Sequence, residues 1–156
     1  MDARPEPSHR LPTRARTLWR LEGALQWGAV LLVAMLVRRA DLPDLVRTLL
    51  AVLPPAGAAI AVGVVPEVRW RRWRYDVRED EIDLRRGTFT LVRTLVPMAR
   101  VQHVDTREGV LEQALKLSTV VFHTAAGATT IPALGRGDAL AVRDRIASLA
   151  RTPDAV

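Results

Sequence analysis

The residues that could carry out catalysis or bind a metal ion are few in this sequence of 156 residues. There is no cysteine, and none of the motifs that place a nucleophile or a zinc-bound water in hydrolases occurs. His103 and His123 would meet if they lay on adjacent strands. A zinc site needs three or four ligands, however, and the sequence does not assign a third, for which Asp105 is one candidate. We therefore expect no catalytic residue, no cofactor and no metal site.

A block of interleaved arginine and tryptophan, residues 67–74, carries half of the net charge of +6, with four arginines against Glu67. Residues 1–20 carry the other half, with five arginines against Asp2 and Glu6. Arginine next to a membrane span gains about 1 kcal/mol from anionic headgroups. We name residues 67–74 the collar and predict headgroup contact for its basic and aromatic members. These are Arg69, Trp70, Arg71, Arg72, Trp73 and Arg74.

Two other partners fit such a collar, nucleic acid and protein. Binding of nucleic acid is disfavoured because residues 75–156 hold eleven basic and eleven acidic residues, so the basic surplus does not continue. Docking of a protein at the collar stays open.

Two apolar runs lie between the basic blocks, residues 23–37 and 48–66, and neither contains a formal charge. As helices they would measure about 22 and 28 Å, against a hydrocarbon core of about 30 Å. We predict transmembrane helices over about 19–37 and 46–66, the second kinked by Pro54, Pro55, Gly57 and Gly63. Buried core helices and a cleaved signal sequence are the alternatives; Arg38 stands where a signal cleavage site needs a small residue.

The arginine count at the helix ends predicts the orientation. Five arginines lie in residues 1–20, five in 67–78 and three in 38–47. By the positive-inside rule, both termini lie in the cytoplasm. The predicted organisation is a flexible basic tail (1–17), a two-helix hairpin (18–66), the collar (67–74), a folded domain (75–151) and a short tail (152–156).

The folded domain alternates polar and apolar residues, which predicts short strands. Arg86-Gly87 indicates a hairpin turn into a strand at 88–91, and a short helix is expected over 110–117. Near the end, Asp138 is a good N-cap for a helix whose apolar face is Ala139, Val142, Ile146 and Leu149. The pattern predicts an α+β domain, a bent antiparallel β-sandwich or partial barrel capped by a C-terminal helix.

Particular residues carry a resemblance to a known family. Tyr75-x-Val77-x-x-Asp80, Arg86-Gly87 and the stretch Val96-Pro97-x-x-Arg100-Val101-Gln102-His103-Val104 resemble the bacterial pleckstrin-homology-like (PH-like) family typified by YdbS. The resemblance continues through Leu111-Glu112 and the hairpin at 118–127. It implies two antiparallel sheets with a C-terminal helix, attached to the bacterial cytoplasmic membrane by two preceding helices. In the segment 115–117, where Leu-Lys-Leu stands, it implies an aromatic residue and a glycine.

These observations lead to a hypothesis about function. The chain would be a non-enzymatic membrane-anchored binding or scaffold module that meets a lipid or protein partner at the cytoplasmic face, with Arg100, Gln102 and His103 as partner-binding residues. The alternative is an accessory subunit of a larger membrane complex assembled through the helices. The expected partners are anionic inner-leaflet lipids and a protein, with a homo-oligomer possible and no nucleic acid.

Overall fold

The computed structural model describes residues 6–151. Its first helix is buried in the folded domain at one end and exposes apolar side chains at the other. Helix α1 (Thr13–Val37) is 25 residues long. Its first turns bury Ala15, Leu18 and Trp19 in the core of the folded domain. Its later turns expose large apolar side chains, Leu25, Leu32 and Leu36 among them. The helix therefore begins within the domain at residue 13, rather than at the membrane surface near residue 19.

The segment before α1 is part of the domain as well. His9 exchanges two backbone hydrogen bonds with Tyr75, each 3.1 Å long, and Leu11 is only 2% exposed. This differs from the flexible tail expected over 1–17, because an extended segment can add to a sheet edge and bury an apolar side chain there. Residues 1–5 and the predicted tail 152–156 lie outside the described range.

The second helical rod is continuous but irregular. It comprises α2 (Asp44–Ala59), a π-helical turn (Ile60–Val64) and α3 (Val65–Arg72). Pro54 and Pro55 lie inside α2. A π-helical turn is a known cause of helix distortion. The irregularity expected for this rod therefore includes a widened turn just after the prolines.

Both rods are long and apolar enough to cross a membrane, and only 6% and 0% of their apolar windows are buried. The core helix of a soluble domain would bury most of such a window, so this alternative does not fit. A cleaved signal sequence does not fit either, because its removal would take Ala15, Leu18 and Trp19 out of the core.

Within residues 6–151, six strands form two antiparallel sheets, joined by the 3₁₀ turn Met98–Arg100. The first sheet has the order β1-β2-β3 and the second β4-β5-β6. The strands are β1 (Arg74–Val77), β2 (Glu81–Arg86), β3 (Val92–Pro97), β4 (Val101–Arg107), β5 (Leu117–Thr124) and β6 (Gly127–Gly135). Helix α4 (Val110–Leu115) connects β4 to β5. This is the α+β architecture predicted from the sequence.

The C-terminal helix α5 (Arg136–Ala150) packs the predicted apolar face on the sheets: Ala139 and Ile146 are buried, and Val142 and Leu149 lie against the core. Its N-cap is Gly135, so the prediction of Asp138 as the N-cap is wrong. Asp138 lies in the first turn, where a carboxylate still interacts favourably with the helix dipole.

Lys116 ends α4 in the left-handed conformation, with φ of 56°. Glycine adopts that conformation without strain, whereas a side chain costs about 1 kcal/mol there. The glycine that the resemblance implies for this segment therefore has a conformational reason.

Candidate membrane-facing site

The collar lies where the second helical rod ends and the first sheet begins. Because β1 starts two residues after α3 ends, the collar belongs to both the membrane anchor and the domain. Its two tryptophans point into the protein. Trp73 is 3% exposed within the core, and the Trp70 indole N–H donates to the carbonyl oxygens of Leu11 (3.0 Å) and Pro12 (3.1 Å). The prediction that Trp73 contacts headgroups is therefore wrong, since its ring fills the core, and Trp70 fastens the N-terminal segment.

Arg69 and Arg74 are also engaged with the protein. The Arg69 guanidinium carbon lies 4.1 Å from the ring centroid of Trp19, a cation–π contact between α3 and α1. Arg74 is half-buried and donates to the carbonyl oxygen of Trp73 at 2.7 Å. Burial lowers the pKa of Arg74, and the neighbouring Arg10 and Arg85 lower it further.

Arg71 and Arg72 are the exposed cations of the collar. Arg71 pairs with Glu67 one turn earlier, at 2.8 Å between Nε and Oε1. Arg72 donates from Nη1 to the carbonyl oxygen of Thr88 at 2.6 Å. The second contact connects the end of the helical rod to the loop between β2 and β3.

That loop, residues 87–91, exposes a large apolar side chain at the same end of the sheet. Phe89 is 90% exposed and Leu91 is 47% exposed. The pairing of Arg74 with Arg85 places this end of β2 beside the start of β1, where the chain leaves the helical rod. We name residues 87–91 the Phe89 loop.

The sequence does not predict the Phe89 loop, because the alternating residues 88–91 are typical of a strand. The prediction of a strand at 88–91 is wrong, since β3 begins only at Val92. Gly87 has φ of +134°, and a Cβ there would stand 1.8 Å from the carbonyl oxygen of Thr90, so only glycine fits this turn. The signal that could have found the loop is Phe89 next to the turn dipeptide Arg86-Gly87.

A cavity of about 220 Å³ lies between the two helical rods and is lined in part by Arg69 of the collar. Its polar lining is Glu22, Gln26 and Arg69, and its aromatic lining is Trp19 and Trp27. The π-helical turn contributes Ala61 to the opposite wall. The cavity therefore offers both signs of charge and aromatic faces near the domain end of the rods.

The residues predicted to bind a partner lie on other elements than the collar. Arg100, Gln102 and His103 are all exposed on the 3₁₀ turn and the start of β4. Arg100 and Gln102 line one shallow groove with the tip of the β5–β6 hairpin, residues 124–126. Arg100 and Gln102 thus share one groove, and His103 follows them on β4, apart from the collar in the chain.

Comparison with known proteins places these features in a family. The family model described as "Bacterial PH domain" matches residues 24–150. The chain is 37% identical over 155 residues to "UPF0699 transmembrane protein YdbS" of Bacillus subtilis (strain 168), covering 97% of this chain and 98% of that protein.

A second relative is longer than this chain. "UPF0699 transmembrane protein YdbT" of the same organism is 30% identical over 76 residues, which are 44% of this chain and 15% of that protein. No solved structure matches. With a family match over most of its length and a transmembrane relative aligned nearly end to end, the chain belongs to the bacterial PH domain family, as a YdbS-like membrane protein.

Proposed function

We propose that this protein is a non-enzymatic binding module that its two helices hold at the cytoplasmic face of the bacterial membrane. The observation that carries the proposal is the continuity of α1. One helix has its first turns in the domain core and its later apolar side chains exposed, as lipid contact requires. A domain attached in this way is fixed to the bilayer without a flexible linker.

The distribution of arginine supports the cytoplasmic placement. Residues 1–20 and 67–78 each hold five arginines, and the described residues of both stretches adjoin the domain end of the rods. Residues 38–47, at the other end of the rods, hold three, two in the connection and Arg47 in the first turn of α2. The positive-inside rule therefore favours the domain and both termini on the cytoplasmic side.

The Phe89 loop, Arg71 and Arg72 are the residues we propose for lipid contact. Two exposed cations gain about 1 kcal/mol each from anionic headgroups. Burying a phenylalanine side chain contributes about 2 kcal/mol. The Arg72–Thr88 hydrogen bond holds the loop beside the collar, so charge and apolar side chain would reach the same leaflet together.

The test uses the full chain in lipid nanodiscs. Because the sequence has no cysteine, Phe89→Cys introduces a single thiol for a spin label. We expect the label to be accessible to membrane-dissolved oxygen and shielded from a water-soluble nickel chelate. Glu79→Cys, exposed in the β1–β2 turn at the opposite end of the sheet, is the matched control and should show the reverse.

Two results decide the outcome. A Phe89→Cys label that is as water-accessible as the Glu79→Cys label would refute lipid contact by the loop. Shielding that weakens when anionic lipid is left out, and weakens again in the Arg71→Gln, Arg72→Gln double variant, would support the contact of these two arginines with anionic headgroups.

An accessory subunit of a larger complex is the second candidate, and two glycines favour it. A Cβ built at Gly28 or Gly63 meets no atom of the described chain within 4 Å, so another helix could approach closely there. Mild-detergent purification should then recover a stoichiometric membrane partner that is lost in Gly28→Leu. A monomeric chain that carries no partner from its native membrane would argue against this candidate.

A further inference from the structure

Three side chains with metal-binding atoms converge on the outer surface of the second sheet. His103 on β4 stands directly opposite His123 on β5. Asp105 lies two residues further along β4, and the period of two along a strand places it on the same face as His103. Their ligand atoms all lie within 4.8 Å of one another.

The distances match those between the ligands of one metal ion. Oδ2 of Asp105 is 3.4 Å from Nε2 of His103 and 3.6 Å from Nε2 of His123. Two ligand atoms bound at about 2.0–2.1 Å to a tetrahedral Zn²⁺ are about 3.4 Å apart. Both Nε2 atoms therefore lie beside the same carboxylate oxygen. The two imidazole rings stack with centroids 4.1 Å apart, so one ring would turn for both lone pairs to point at a single ion.

Hydrogen bonding within the protein does not account for this arrangement. Nε2 of His123 is buried and has no hydrogen-bond partner in the described part of the chain. A buried polar atom without a partner costs about 1–3 kcal/mol. Coordination of a metal ion would use this lone pair, and the neutral imidazole is the form that binds.

We propose that His103, Asp105 and His123 bind one divalent transition-metal ion, with Zn²⁺ the best match to two imidazoles and a carboxylate. Three protein ligands leave one coordination position open. Because His103 and Asp105 are exposed, that position faces the surface and is open to water or to a ligand from outside the chain. The proposal is independent of the proposed function, since the site lies apart from the collar and the Phe89 loop in the chain.

The test is metal titration of the full chain in detergent, purified without a polyhistidine tag and stripped by a chelator. Co²⁺ reports its coordination by visible absorption, and Zn²⁺ competition gives the affinity. We expect one equivalent to bind. Asp105→Asn and His123→Ala should each weaken binding by at least about tenfold.

His9 provides a matched control. Its Nδ1 lies 3.5 Å from Oδ1 of Asp76, so it is a histidine beside a carboxylate, and neither residue belongs to the cluster. His9→Ala should bind Co²⁺ as the wild type does. Asp105→Asn is an exposed and isosteric change, so loss of folding does not confuse the result.

Three results would overturn the proposal. They are failure of the wild type to take up a stoichiometric ion, equal uptake by His123→Ala and the wild type, and equal loss in His9→Ala and His123→Ala. In each case the cluster is a histidine–carboxylate group without a metal function.

Discussion

The indole of Trp27 on α1 lies directly over Gly57 on α2. A Cβ built on Gly57 would stand 2.3 Å from Cη2 and 2.7 Å from Cζ3 of the ring, closer than any side chain can approach. The two rods therefore pack through a glycine on one and an aromatic ring on the other, as small residues permit between membrane helices.

Gly57→Val should loosen the helix hairpin. The added side chain would force the Trp27 ring away, and overpacking of this kind costs about 1–3 kcal/mol. Thermal unfolding in detergent measures the loss. Gly63→Ala is the control, because its Cβ meets no described atom within 4 Å, and an equal loss in both variants would contradict the packing argument.

Trp73→Ala should destabilise the domain strongly. The ring is 3% exposed, and removing a buried tryptophan costs about 3–5 kcal/mol. Val110→Ala should change stability by less than about 0.5 kcal/mol, because that side chain is 84% exposed. Chemical denaturation in detergent compares the two. A small effect of Trp73→Ala would show that the ring lies at the membrane surface after all.

Asp83 is fully buried, and its carboxylate accepts two hydrogen bonds from Arg93, at 3.0 and 2.6 Å. This contact raises the pKa of Arg93. Asp83→Ala should lower the free energy of unfolding by about 2 kcal/mol, because it removes the buried acceptor of both charge-assisted hydrogen bonds. Glu6→Gln, at the exposed Arg85–Glu6 pair, should cost less than about 1 kcal/mol. Equal losses in denaturation would contradict this ranking.

Tyr75 should ionise at a higher pH than a free tyrosine. Burial raises its pKa above 10.0, and Asp138 and Asp76 raise it further. The unfolded chain ionises near pH 10, so the stability that neutral Tyr75 contributes is present below that pH and is lost as pH rises through the folded pKa. Tyr75 is the single tyrosine, so phenolate absorption measures it directly. Ionisation near pH 10 in the folded protein would refute the shift.

The elements that sequence reasoning predicted are those whose pattern repeats over many residues. The two apolar runs, the alternating strands and the apolar face of α5 each combine several residues into one period. Burial against a distant element leaves no such period. Leu11, Ala15 and Leu18 lie among arginines and prolines, and only the sheets that they contact reveal them as core.

Single residues were harder to place than elements. Trp73 has the same neighbours in sequence as Trp70, yet one fills the core and the other binds backbone carbonyls. His103 and His123 are brought together by the register of β4 and β5, which the sequence alone does not specify. The exposure of Phe89 depends on a loop that continues to residue 91, where the alternating pattern predicts a strand.

Because α1 is one continuous helix, the membrane anchor and the domain tilt together as a rigid unit. A helix of 25 residues is about 37 Å long, so a change of about 10° in its tilt moves one end by about 6 Å relative to the other. Membrane helices tilt when bilayer thickness changes. Because α1 continues without a break from the domain into the anchor, thinning of the bilayer would tip the domain and shift every surface that the domain exposes.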